Sequence, residues 1–235
     1  MAVRPVFYRI EQAPFYNTEE TEFEYYGGFS LQQKKRCVKS LHSSYLKKYP
    51  ERNVLEISSK SSAEIGINLS AFNLQTVCGN RYISVESAFQ GSKVFEGNIQ
   101  FEDIYNKSSI EAKKDPRIRS SGNLICFRLY GEEFPLNPVT YFYNWLYIKS
   151  LYLNKDYCKK VIKYDSFTDI EFNPQRSLNC QAMAAAIFSG LYISGKLVEA
   201  MKTKENFLRI VYGSELNADK IGTSDQNQYE QISFF

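Results

Sequence analysis

An α+β fold, predominantly helical with a small mixed or antiparallel sheet, is what the sequence predicts, and three observations predict it. Short stretches rich in β-branched and aromatic residues are interleaved with longer ones whose apolar residues recur every three to four positions. The strand-like stretches are not spaced as regular strand–helix–strand units, which argues against a doubly wound parallel sheet. The 235 residues are 43% hydrophobic and 23% charged, ordinary globular usage, with no internal repeat and no central linker rich in Gly, Pro or Ser. One domain over residues 1–212 with a polar tail at 213–235 is the organisation this implies.

Taken in order, residues 6–10 and 23–29 read as strands. Residues 31–49 read as a helix, because Leu31, Val38, Leu41, Tyr45 and Tyr49 fall on one side with lysines opposite. Strands are predicted at 54–58, 72–77 and 81–84, the last two joined by Cys78-Gly79-Asn80. Ser84 is a natural N-cap for a helix running to about 96. Ser108 and Glu111 form a capping-box pattern for a helix that stops before Pro116. Residues 124–130 read as a strand ending at a Gly131 turn, and Asn137-Pro138 as the opening of a helix to about Leu153. Further helices are predicted at 156–164, 177–193 and 196–212.

Composition excludes several functions. The net charge of +3 is too small to mark a nucleic-acid binder by itself, although Lys34, Lys35, Arg36, Lys39, Lys47, Lys48 and Arg52 gather in one region. That basic helix reads either as a solvated face or as a contact for DNA phosphates. Five cysteines without a CxxC pair, together with a single histidine, leave no structural zinc site, so no metal and no cofactor is predicted. The cysteine usage and the lack of an apolar leader or membrane span fit a reduced, cytoplasmic protein. His42 lies among lysines and reads as a surface residue. Cys180 has no histidine near it in sequence, which argues against a Cys–His nucleophile.

The helix beginning at Ser84 is the most informative segment. At about 100° per residue, Glu86, Gln90 and Lys93 lie on one narrow polar stripe, flanked by Phe89 and Val94 and backed by small residues. A carboxylate, an amide and an ammonium facing an enclosed space require partners or a ligand. The alternative is a short solvated edge or a Glu–Lys pair that holds the helix.

These residues carry a resemblance. NLSAFN followed by RYISVESAFQGSKVF resembles the core motif of the NADAR family, the NAD- and ADP-ribose-associated domains. Ser70 and Phe72 match that family's Ser-Asn-Phe element with Ala71 in place of Asn; Glu86, Gln90 and Lys93 match its helix motif with Ser87 in place of His. The resemblance spans roughly residues 54–195. The elements SSKS at 58–61, FTDIEFNP and SLNCQA resemble the subclass of bacterial antitoxins paired with DarT-type DNA ADP-ribosyltransferase toxins, although the family's Trp-Gly element is replaced by Thr168-Asp169.

The resemblance implies a hydrolase that removes ADP-ribose from the exocyclic amino group of guanine in DNA. Its partners would be ADP-ribosylated DNA and, as a second candidate, the cognate toxin. Glu86 would stabilise charge at C1″ or activate water, while Lys93 or Lys60 would form a Schiff base or bind diphosphate. Ser59, Ser70, Asp169, Asn179 and Gln181 become candidate contacts for ribose or phosphate, and Phe72 and Trp145 for stacking on a base. Each also has an ordinary structural reading, as turn former, helix cap or core aromatic. Two other functions stay open: a non-catalytic module that binds ADP-ribose or blocks the toxin, and an N-glycosidase acting on riboflavin intermediates.

Overall fold

The chain opens with a hairpin. Strand β1 (Ala2–Arg9) buries Val6 and Phe7 and pairs along its whole length with antiparallel β2 (Tyr16–Phe23), from Ala2 opposite Phe23 to Arg9 opposite Tyr16. The second strand therefore precedes the aromatic stretch 23–29 predicted from sequence: Thr21 and Phe23 turn inward between outward glutamates, and Gly28 at φ +116° breaks the extended chain. Helix α1 (Leu31–Lys48) starts at Ser30, whose hydroxyl accepts the Gln33 N–H at 3.2 Å. It buries Cys37, Val38, Leu41 and Tyr45 against Val6, Phe23 and Ile170, while Leu31 stays exposed. Strand β3 (Val54–Glu56) and short helix α2 (Glu64–Asn68) follow. Gly66 is required there, because a Cβ would lie 2.0 Å from the Glu56 carbonyl oxygen.

Strands β4 (Gln75–Cys78) and β5 (Arg81–Ser84) form a hairpin whose first strand starts three residues later than predicted, because the Ser70 carbonyl accepts the N–H groups of Asn73 and Leu74 in a turn, and Ser84 caps helix α3 (Val85–Gly91) by accepting the Ser87 N–H at 3.0 Å. The helix ends five residues earlier than predicted. Residues 93–95 form strand β6 (Lys93–Phe95), which pairs with β7 (Ile99–Gln100) on one side and β8 (Leu124–Leu129) on the other. Helix α4 (Ser109–Lys113) has the predicted capping box, α5 (Arg117–Ser120) follows Pro116, and β9 (Glu132–Phe134) completes an antiparallel sheet ordered β7-β6-β8-β9.

Helix α6 (Tyr141–Leu153) begins later than predicted, because the Pro138 carbonyl accepts the Tyr141 N–H and Asn137-Pro138 belongs to the preceding turn. After α7 (Lys155–Val161), strand β10 (Ser166–Thr168) inserts between the ends of the chain's first sheet. Phe167 lies opposite Phe7 in antiparallel β1 and opposite Leu55 in parallel β3, giving a mixed sheet ordered β2-β1-β10-β3. Helix α8 (Gln181–Ile193) starts four residues after its predicted start, because the Asn173 carbonyl accepts the N–H groups of Arg176 and Ser177 in a turn. The predicted 196–212 helix is two, α9 (Leu197–Ala200) and α10 (Lys204–Tyr212), separated by Thr203, which caps the second.

The computed structural model describes residues 1–213, so the tail predicted at 213–235 lies, but for Gly213, outside the described residues. The fold is α+β, with α6 and α8 at the centre of the main core and a second apolar cluster between α1 and the first sheet. No helix among the described residues is long and apolar enough to cross a membrane. His42 is not a surface residue: the fold buries it most of the way, its Nε2 lies 2.8 Å from Thr168 Oγ1, and burial pulls its pKa down to about 4.

Candidate functional site

The loop after strand β3, helix α3, strand β6 and the segment from β10 to the start of α8 converge on a cavity of about 590 Å³. Glu86, Gln90, Lys93, Lys60, Ser59, Ser70, Phe72, Asp169, Asn179 and Gln181 all line it. Trp145 does not: α6 turns it into the core, where its ring packs 4.7 Å from Phe134 with Lys149 over its face, so it is not placed to stack on a ligand in this cavity.

One helical turn places Glu86 and Gln90 together, and Gln90 Nε2 donates to Glu86 Oε1 at 2.9 Å. The other amide atom, Gln90 Oε1, is buried without a hydrogen-bond partner. Lys93 reaches the same space from β6 rather than from the helix. It is 8% exposed, forms no ion pair among the described residues, and lies 5.2 Å from the Phe89 ring centroid. Burial brings its pKa down to about 8, against the partial support of Glu86. Its ammonium therefore gives up a proton more readily than that of an exposed lysine.

Asp169 follows β10, and its Oδ1 accepts the Glu171 N–H at 3.0 Å. Burial, then the neighbouring carboxyl of Glu56, pushes its pKa up to about 8. Asn179 Oδ1 is buried and unpartnered, while Cys180 rather than Asn179 is the N-cap of α8. The Gln181 amide is engaged by the backbone, accepting from Ala71 N at 2.7 Å and donating to Ile57 O at 2.6 Å, so it ties the wall together. Ser70 donates to the Ile67 carbonyl at 2.8 Å, the turn-forming role. Phe72 presents its ring beneath Lys113, 5.2 Å away, and Phe89 meets Tyr143 edge-on at 5.2 Å. Burial pushes the Cys180 thiol well up, which opposes thiolate formation.

Sequence reasoning missed Glu56, Arg4 and Tyr143. Glu56 is 2% exposed and accepts three hydrogen bonds, from Ser58 Oγ at 2.6 Å, Thr168 Oγ1 at 2.6 Å and Ile170 N at 2.9 Å. Arg4 and Lys34 bring the N-terminal hairpin and α1 to the cavity wall, and Lys34 pairs with Glu171 at 3.1 Å. The basic run at 34–52 was a visible signal for Lys34; Arg4 had none.

A carboxylate, a buried amine and a carboxyl that favours its protonated form thus face one aromatic-walled space. This combination can deliver a proton, accept one and offer a nucleophilic amine within one cavity. No curated protein matches the chain. The family model for the DarT1-associated NADAR antitoxin matches residues 2–221, which adds the N-terminal hairpin and α1 to the 54–195 segment that carries the motifs. The ordered motifs, their convergence on one cavity and this nearly full-length match agree, and the chain belongs to the family of DarT1-associated NADAR antitoxins.

Proposed function

We propose that this antitoxin is a hydrolase that removes ADP-ribose from the exocyclic amino group of guanine in DNA. The observation that carries the reading is Lys93, an amine enclosed beside Glu86 in a cavity with a raised-pKa carboxyl, Asp169, in its wall. The substrate is a glycosylamine joined at C1″. Proton delivery to the ribose ring oxygen by Asp169 opens the sugar to an imine. Neutral Lys93 attacks C1″, and the guanine amine leaves with a proton while a lysine imine forms. Glu86 takes a proton from the water that adds to C1″; the carbinolamine hydroxyl proton passes to the lysine nitrogen as the C–N bond breaks, the ring hydroxyl closes on the resulting aldehyde to re-form ADP-ribose, and the proton on Glu86 returns to Asp169 through solvent. The burial of Lys93 supports it over half-buried Lys60 as the nucleophile, and Lys60 with Ser59 then holds diphosphate.

The test is direct. Incubated with an oligonucleotide ADP-ribosylated on guanine, the protein releases ADP-ribose and restores the strand without added metal, and it leaves thymine-linked ADP-ribose largely intact. Guanine-linked substrate that stays unchanged with folded protein would overturn the reading in favour of a non-catalytic binder.

A further inference from the structure

Helix α1 carries six cationic side chains, Lys34, Lys35, Arg36, Lys39, Lys47 and Lys48, and no acidic one. Its buried side, Cys37, Val38, Leu41 and Tyr45, packs on the first sheet, so Lys35, Lys39 and Lys47 stand exposed along the opposite side. Lys34 pairs with Glu171 and Lys48 with Glu19, whereas Lys35, Lys39 and Lys47 form no ion pair among the described residues. The exposed lysines follow a line of about 18 Å, the rise of roughly five nucleotides along one strand. Lys34 belongs to the same helix and lines the cavity, which sets the start of α1 at the cavity wall. Phe29, just ahead of the helix, is fully exposed, and Tyr25 and Leu31 are about half exposed. Exposed aromatics beside unpaired cations are the elements that bind a nucleic-acid strand.

A guanine bearing ADP-ribose belongs to a polynucleotide. The cavity takes the modified base and its ADP-ribosyl group, and the phosphodiester chain has to leave over the rim. We propose that the exposed face of α1, with Phe29 at its head, is the track for the DNA strand that carries the modified guanine: Lys35, Lys39 and Lys47 hold its phosphates, and Phe29 stacks on a flanking base. The proposal rests on the reading of the cavity as a guanine–ADP-ribose hydrolase. Charge complementarity favours DNA, since a helix with six cations and no acidic side chain matches a polyanion.

Two substrates separate strand contact from chemistry: a guanine-ADP-ribosylated oligonucleotide and ADP-ribosylated guanosine. The triple variant Lys35→Ala/Lys39→Ala/Lys47→Ala changes only exposed side chains. It lowers kcat/KM on the oligonucleotide about tenfold or more, reduces the log–log salt slope by about 2, and leaves the nucleoside reaction unchanged. Phe29→Ala lowers the oligonucleotide reaction alone. Equal losses on both substrates, or none on either, would overturn the proposal. If the wild type turns over neither substrate, the hydrolase reading fails by itself. Fluorescence anisotropy with an unmodified oligonucleotide then decides the track, since binding retained in the triple variant would refute it. A triple variant that binds DNA normally but no longer captures purified cognate toxin would also refute it, by marking α1 as a toxin dock.

Discussion

Thr168 donates its hydroxyl proton to Glu56 across 2.6 Å and meets His42 Nε2 at 2.8 Å on its other side. Because Glu56 also accepts from Ile170 N, it grips the residues on both sides of Asp169. Glu56→Ala leaves three donors without their acceptor in a dry environment. It is expected to cost about 2–4 kcal/mol, read from the urea midpoint at constant m-value. Unchanged stability would show that the network is dispensable.

Glu86→Gln keeps the shape of the side chain and removes its charge. Turnover on guanine-linked substrate is expected to fall about a hundredfold or more, with ADP-ribose binding by calorimetry little changed. Near-normal turnover would demote Glu86 to a partner that only orients Gln90.

Borohydride added during turnover should trap an adduct on Lys93, located by mass spectrometry of the digested protein. Lys93→Arg keeps the positive charge, cannot form the imine, and is expected to abolish both adduct and turnover. Label on Lys60 would exchange the two lysine roles, and active Arg variants at both positions without any adduct would exclude the covalent route.

The two titrating groups set a pH profile. Lys93 has to lose its proton and Asp169 has to keep one, and each titrates at about 8. Turnover should therefore rise as pH approaches 8 and fall beyond it, with Asp169→Asn removing the alkaline limb along with most activity. A profile flat from pH 6 to 10 would contradict both roles.

Asp169 also couples pH to stability. Its carboxyl titrates higher in the folded chain than the usual 3.8, so the folded state binds more protons and loses stability as pH rises from about 4 to about 8. Asp169→Asn should accordingly be more stable than the wild type at pH 8, with the gain shrinking towards pH 4. Thermal unfolding across that range measures it, and a constant difference would place the origin elsewhere.

What was legible in the sequence followed from local periodicity. Glu86 and Gln90 are one helical turn apart, so their shared direction could be read directly. Lys93 was read onto the same helix, yet reaches the cavity from a strand whose partner is some thirty residues away, opposite Phe127. The grouping of Glu56 with Thr168 depends on parallel pairing across more than a hundred residues, which no local pattern encodes. Trp145 illustrates the converse: α6 is apolar nearly all round, so composition did not distinguish its core-facing side from a ligand-facing one.

The passage from α3 into β6 constrains how relatives of this chain diverge. Gly91 has the Tyr105 ring 2.6 Å from where a Cβ would stand, and Lys93 is held opposite Phe127 two residues later. Deleting one residue between them would slide β6 by one position and exchange its faces, turning Val94 towards the cavity and the amine away. Insertions and deletions in this interval are excluded, and Gly91 has no room for a side chain. Among active homologues, the distance from the glutamate to the lysine is therefore expected to stay at seven residues, with the glycine kept two positions before the lysine.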